Sequence, residues 1–104
     1  MVVQLYDYIQ GFPKNESYAL SDQMRRAAIS IPSNIAEGLG RMAIKERIHF
    51  LEISFASLAE VSCQLDISQS LGYITEEELK IAEIKAEQLS KVMSGLKKYL
   101  STKI

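Results

Sequence analysis

Five cations crowd into one short stretch of this chain: Arg25, Arg26, Arg41, Lys45 and Arg47. All four arginines belong to the set, and Glu37 and Glu46 are the only acids between residues 24 and 50. A guanidinium is planar, always charged, and grips phosphate or carboxylate through two parallel hydrogen bonds. Two chemistries follow. A local excess of positive charge can face phosphate, most directly RNA or DNA. Alternatively, Arg25 or Arg26 pairs with Glu37, Glu52 or Glu60 inside the protein or between subunits. Neighbours on a helix point about 100° apart, so one arginine can face inward and the other outward. Twelve basic against thirteen acidic residues give a net charge of -1, without the basic excess of a dedicated nucleic-acid binder.

Other chemistries fall short on context or spacing. Gly38-Leu39-Gly40-Arg41-Met42-Ala43 has the form of a dinucleotide fingerprint, but that turn works only after a β-strand. Here it follows a helical pattern and reads as a helix stop. Glu46 and His49 form one i, i+3 carboxylate–histidine pair, whereas a bundle di-metal site needs two. Cys63 lies fourteen residues beyond His49, about 21 Å on a straight helix, too far for a nucleophile and its base. Cys63 reads as a small buried or half-buried apolar residue. Asn34 and Glu37 read as polar partners for backbone freed by Pro32. The expectation is a protein that is not an enzyme and uses no metal or cofactor.

The elements that hold these residues are helical, and no strand pattern is visible. Val2, Leu5, Tyr6 and Ile9 predict a short first helix over residues 2–11, ended by Gly11 and Pro13. Phe12 in the following turn is expected to fold back as a lid on the core. A second helix is predicted from Ser21 as N-cap, with Asn15 or Ser17 as earlier alternatives. Its stripe of Leu20, Met24, Ala27 or Ala28, Ile31 and Ile35 stays in phase across Pro32, which predicts one kinked helix. Gly38 and Gly40 are expected to end it in left-handed geometry. The third helix is predicted from about Ala43 to Leu71, with a seam of Ile44, Ile48, Leu51, Phe55, Leu58, Ser62 and Leu65. A second strip on it (Phe50, Ile53, Val61, Ile67) suits another subunit. Gly72 stops this helix, and Thr75 with Glu78 forms a capping box for a fourth helix running to about Leu100. Its stripe is Leu79, Ala82, Ala86, Leu89, Met93, Leu96 and Leu100; Lys97, Lys98 and Lys103 suit the negative end of its dipole.

The result is an all-α, antiparallel up-down four-helix bundle in a single domain over residues 1–104. A hydrophobic fraction of 47% with 24% charged residues fits a folded globular chain. One cysteine excludes an internal disulfide, and no apolar run approaches the roughly 20 residues that span a bilayer. A cytoplasmic protein without a membrane segment is expected.

Phe12-Pro13-x-x-Glu16, the run from Gln23 to Gly38 with Arg25-Arg26-Ala27-Ala28-x-Ser30-Ile31-Pro32-x-Asn34-Ile35-Ala36-Glu37, and Arg41 resemble a known signature. So do Phe50-Leu51, Ser57-Leu58-x-Glu60, Gln64-Leu65 and Leu71-Gly72-Tyr73-Ile74. They resemble the four-helix-bundle proteins encoded by intervening sequences in bacterial 23S ribosomal RNA genes. Ser54 and Ala56 depart from it, standing where alanine and glycine are usual, which is expected to loosen the closest packing point of the third helix. The resemblance implies a ring-like homopentamer, and kinship with the accessory protein of diversity-generating retroelements, which binds nucleic acid and a reverse transcriptase. Pro32, Asn34, Glu37, Gly38 and Glu60 are then expected to serve architecture. The functional expectation is an oligomeric scaffold associated with RNA or DNA through the arginines. The alternative is a structural oligomer or protein-interaction module that binds no nucleic acid.

Overall fold

The computed structural model describes residues 1–13 and 18–104. The turn residues Lys14 to Ser17, and with them the alternative helix starts at Asn15 and Ser17, lie outside the described residues. Four helices make up the fold: α1 (Val2–Gln10), α2 (Tyr18–Leu39), α3 (Ile44–Ser70) and α4 (Glu76–Ser101), with no strand among the described residues. The molecule is a rod of 47 × 23 × 17 Å. α3 lies between α2 and α4, and α1 packs on α2. Met24 on α2 meets Ser68 on α3, Ser30 meets Ser57, Ile31 meets Ser54 and Gly38 meets Phe50, so numbers fall along α3 as they rise along α2. The same opposite sense links α3 to α4, where Glu52 pairs with Lys97 and Asp66 reaches Glu83.

Apolar side chains at helical spacing build the core. Met24, Ala28 and Ile31 from α2, Leu51, Leu58, Val61 and Leu65 from α3, and Ala82, Met93 and Leu100 from α4 are all buried. The predicted stripes of α2 and α4 are therefore the packed ones. The seam of α3 is shifted. Phe55 and Ser62 are only half-buried, while Ser54, Ser57, Gln64 and Ser68 are buried in their stead. α3 is held on two sides, so its buried arc widens and takes in the small polar residues that face α2. Val61, assigned above to an outer strip, is fully buried, whereas Ile67 is 43% exposed. Phe12 closes the lower end of the core as expected, buried with its ring 5.1 Å from that of Tyr73. Tyr8 on α1 donates to the Glu78 carbonyl at 3.5 Å.

Two helix ends carry the chemistry that the spacing predicts. Thr75 and Glu78 form the full capping box, with Glu78 N–H to Thr75 Oγ1 at 3.0 Å and Thr75 N–H to Glu78 Oε1 at 2.9 Å. Gly72 has φ +77, and the bonds Gly72 N–H to Gln69 O and Tyr73 N–H to Ser68 O complete a Schellman motif. Ser21, by contrast, is not an N-cap. It lies inside α2 and is buried. Gly38 and Gly40 do not adopt left-handed geometry either; among the described residues only Gly72 has positive φ.

Gly38 is needed for a different reason. A Cβ built there stands 2.9 Å from Phe50 Cβ and 3.1 Å from the Arg47 carbonyl, so α2 and α3 cross at the absent side chain. Gly38→Ala is expected to cost about 1–3 kcal/mol by overpacking. Gly95→Ala, in α4 where nothing lies within 4 Å, is expected to gain up to about 1 kcal/mol from helix propensity. Urea denaturation of the two variants side by side reads both signs, and a neutral Gly38→Ala removes the crossing argument.

Candidate functional site

Pro32 sits inside an unbroken α2, so the in-phase stripe did identify a single helix. Proline removes the bond to the carbonyl of residue 28. The side-chain donors found nearby go instead to the carbonyls of Ser30 and Ile31. Asn34 Nδ2 donates to Ser30 O and Ser30 Oγ, both at 2.9 Å. Ser57 Oγ donates to Ser30 Oγ at 2.7 Å, and Ser54 Oγ to Ile31 O at 3.0 Å. Ser54 thus fastens the α2–α3 contact it was expected to loosen. Glu37 takes no part in this network. It pairs with Arg41 at 2.7 Å on the surface. Glu60 accepts from Gln64 Nε2 at 3.2 Å within α3.

The predicted cations fall into two groups. Arg25 and Arg26 lie at least fifteen residues before Arg41, about 20 Å lower along α2. Arg26 pairs with Asp22 at 3.1 Å on the surface, and Arg25 makes no ion pair among the described residues. Neither meets Glu37, Glu52 or Glu60 within the chain; those acids face Arg41, Lys97 and Gln64 instead.

Arg41 and Arg47 do converge, at the α2–α3 turn, and Lys45 stands beside them in sequence on the first turn of α3. Arg41 lies 5.0 Å above the Phe50 ring, and exposed His49 meets that ring edge-on at 5.8 Å. Arg47 Nε donates to the Arg41 carbonyl at 2.6 Å and so closes the turn. α4 returns its last turns to the same end. Lys97 Nζ pairs with Glu52 at 3.4 Å, and an open groove of about 600 Å³ is lined by Glu52, Phe55, Lys97, Lys98 and Ser101. Glu52 follows Lys45 and Arg47 by seven and five residues, within about 10 Å of helical rise. With Lys103, this end of the rod carries six of the twelve cations and only Glu37, Glu46 and Glu52 of the thirteen acids. Lys97 and Lys98 are the partners that reading the stretch alone missed. The near-equal lengths of α3 and α4, with one short turn between them, are the signal that locates them.

The remaining candidates are dispersed. Cys63 is exposed rather than buried, since it points away from both α2 and α4. Among the described residues no group of three or more His, Cys, Asp or Glu side chains could hold a metal ion. No helix among them is long and apolar enough to cross a membrane.

Arg41 and Arg47 are expected to separate in a stability measurement. Arg41→Ala removes an exposed ion pair, worth less than about 1 kcal/mol. Arg47→Ala removes a charge-assisted bond that closes a turn, worth about 1–2 kcal/mol. Equal midpoints in urea would show that the turn does not depend on Arg47.

Residues 1–95 match the family model described as 23S rRNA-intervening sequence protein; Lys97 and Lys98 lie beyond the matched residues. No curated protein matches the chain.

Proposed function

The chain belongs to the 23S rRNA-intervening sequence protein family, and from that premise we propose a non-enzymatic scaffold that associates with RNA or DNA through the basic end of the rod. Its subunit is an antiparallel up-down four-helix bundle, a reading supported by the opposite-sense pairings of α2 with α3 and α3 with α4. Its assembly is a cytoplasmic homopentamer, as the family resemblance implies. The observation that carries the nucleic-acid reading is the placement of Arg41, Lys45, Arg47, Lys97 and Lys98 at one end of a chain whose net charge is -1. Charge that sums to nearly nothing over the molecule is segregated along its length.

Phosphate contacts of this kind are sequence-independent, and their strength falls steeply with salt. A parallel ring repeats the basic end once per subunit on one face, so modest single-subunit affinity is multiplied through avidity. Arg41 over Phe50 adds a cation–aromatic surface on which an unpaired base can stack.

Retention of single-stranded RNA at low salt is expected to show a linear fall of log K with log salt. Lys97→Gln/Lys98→Gln removes two cations and is expected to flatten that slope by about 1.4 at most. Lys80→Gln, at the far end of α4, leaves the slope unchanged. Absence of retention at 20–50 mM salt, on the order used for such assays, overturns the nucleic-acid reading. A second reading, an oligomer that binds no nucleic acid, is favoured by one observation. Ile81, Ile84, Val92 and Tyr99 are 42–70% exposed along a second face of α4, a stripe suited to a helical partner. Light scattering separates the outcomes: an assembled chain without RNA retention supports the second reading, and a monomer at micromolar concentration removes both.

A further inference from the structure

Two unmatched sets of charge lie at one height on different sides of the rod. On α2, Arg25 has no ion-pair partner among the described residues, and Arg26 is held only by half-buried Asp22. One turn on, Ile29 is 48% exposed on the side of α2 away from buried Ile31. On the α3–α4 side, Asp66 and Glu83 lie opposite each other in the register that the Glu52–Lys97 pair sets, Glu83 lining the notch between the helices, with no cation paired to either among the described residues. Glu83 is held above the ordinary carboxylate range, first by its hydrogen bond with Asp66, then by desolvation and the Asp66 charge. Beside this pair lies an open notch of about 360 Å³, in which Ala59, Ser62, Ala86 and Ser90 leave space between Phe55 and the Glu83 and Glu87 side chains.

The heights agree. Met24, next to Arg25, touches Ser68, and Asp66 precedes Ser68 by two residues, so the arginines and the carboxyls lie within about one helical turn of axial rise. Moving up the rod, Ile29 adjoins Ser30, which meets Ser57, at the level where the notch opens beside Ala59. Arginines below and isoleucine above on one side correspond to carboxyls below and a hole above on the other.

We infer that the outer face of α2 in one copy docks into the α3–α4 groove of a second copy, with Arg25 and Arg26 on Asp66 and Glu83 and Ile29 in the notch. The interface joins two different surfaces at matching heights, a head-to-tail contact of the kind that forms a ring when its rotation closes. This deepens the oligomeric reading above and rests on it.

Charge reversal tests the pairing, read by light scattering with helicity checked by circular dichroism. Arg25→Glu/Arg26→Glu and Asp66→Lys/Glu83→Lys are each expected to reduce the assembly to the 11.7 kDa subunit with helicity retained. The quadruple variant, which restores opposite charges at every contact, is expected to regain the wild-type mass. Reversed doubles that remain assembled overturn the inference, as does a quadruple variant that stays dissociated. A wild-type chain that is itself monomeric instead overturns the oligomeric reading on which the inference rests.

Discussion

The close approach of α2 to α3 is the constraint from which the rest of the molecule follows. At its upper end the helices touch where Gly38 has no side chain, with Phe50 and the Arg47 carbonyl filling the space. Midway, Ser54 and Ser57 cross the gap to Ile31 and Ser30, each hydroxyl contributing about 1 kcal/mol. Lower down, Ser68 sits against Met24. Small residues and short hydroxyls allow the backbones together where a leucine seam would hold them apart. The same approach makes proline tolerable. Pro32 withdraws one helical hydrogen bond, and the neighbouring carbonyls are secured across the interface by α3 and along it by Asn34.

What was legible in the residues was the pattern that depends on local periodicity. The helices, the unbroken α2, the α4 stripe, the Gly72 stop and the Thr75–Glu78 box are all written in spacing and cap chemistry, which need no knowledge of neighbours. The seam of α3 holds at Leu51, Leu58 and Leu65 but not at Phe55 and Ser62, which are half-buried while Ser54, Ser57 and Ser68 are buried. A helix flanked on two sides buries serine wherever the partner comes closest, and only the partner reveals that. Gly38 shows the same limit. A glycine after a helical stripe suggests a cap, yet its role is set by Phe50, twelve residues later in the sequence.

The candidate site was legible in part for a related reason. Arg41, Lys45 and Arg47 are neighbours in the chain and remain neighbours in the fold. Arg25 and Arg26 are near them in sequence, but the length of α2 carries them away along its axis. Lys97 and Lys98 are remote in sequence and close in space, since α4 retraces α3. Net charge hid this arrangement. A sum near zero describes both a uniformly mixed surface and a rod with a basic end and an acidic remainder, and only the second can orient a polyanion.

The five residues between α3 and α4 carry a consequence for how such a chain can change over evolutionary time. The Schellman motif at Gly72 and the capping box at Thr75 lock both helix ends, so the turn acts as the zero mark of a ruler. Every residue added to or lost from α3 or α4 moves its partners by about 1.5 Å and 100°, turning core residues outward and carrying Lys97 away from Glu52. Length variation is thereby barred from the two longest helices. It is left to the residues beyond the last core contact at Leu100, where a change in length shifts no register.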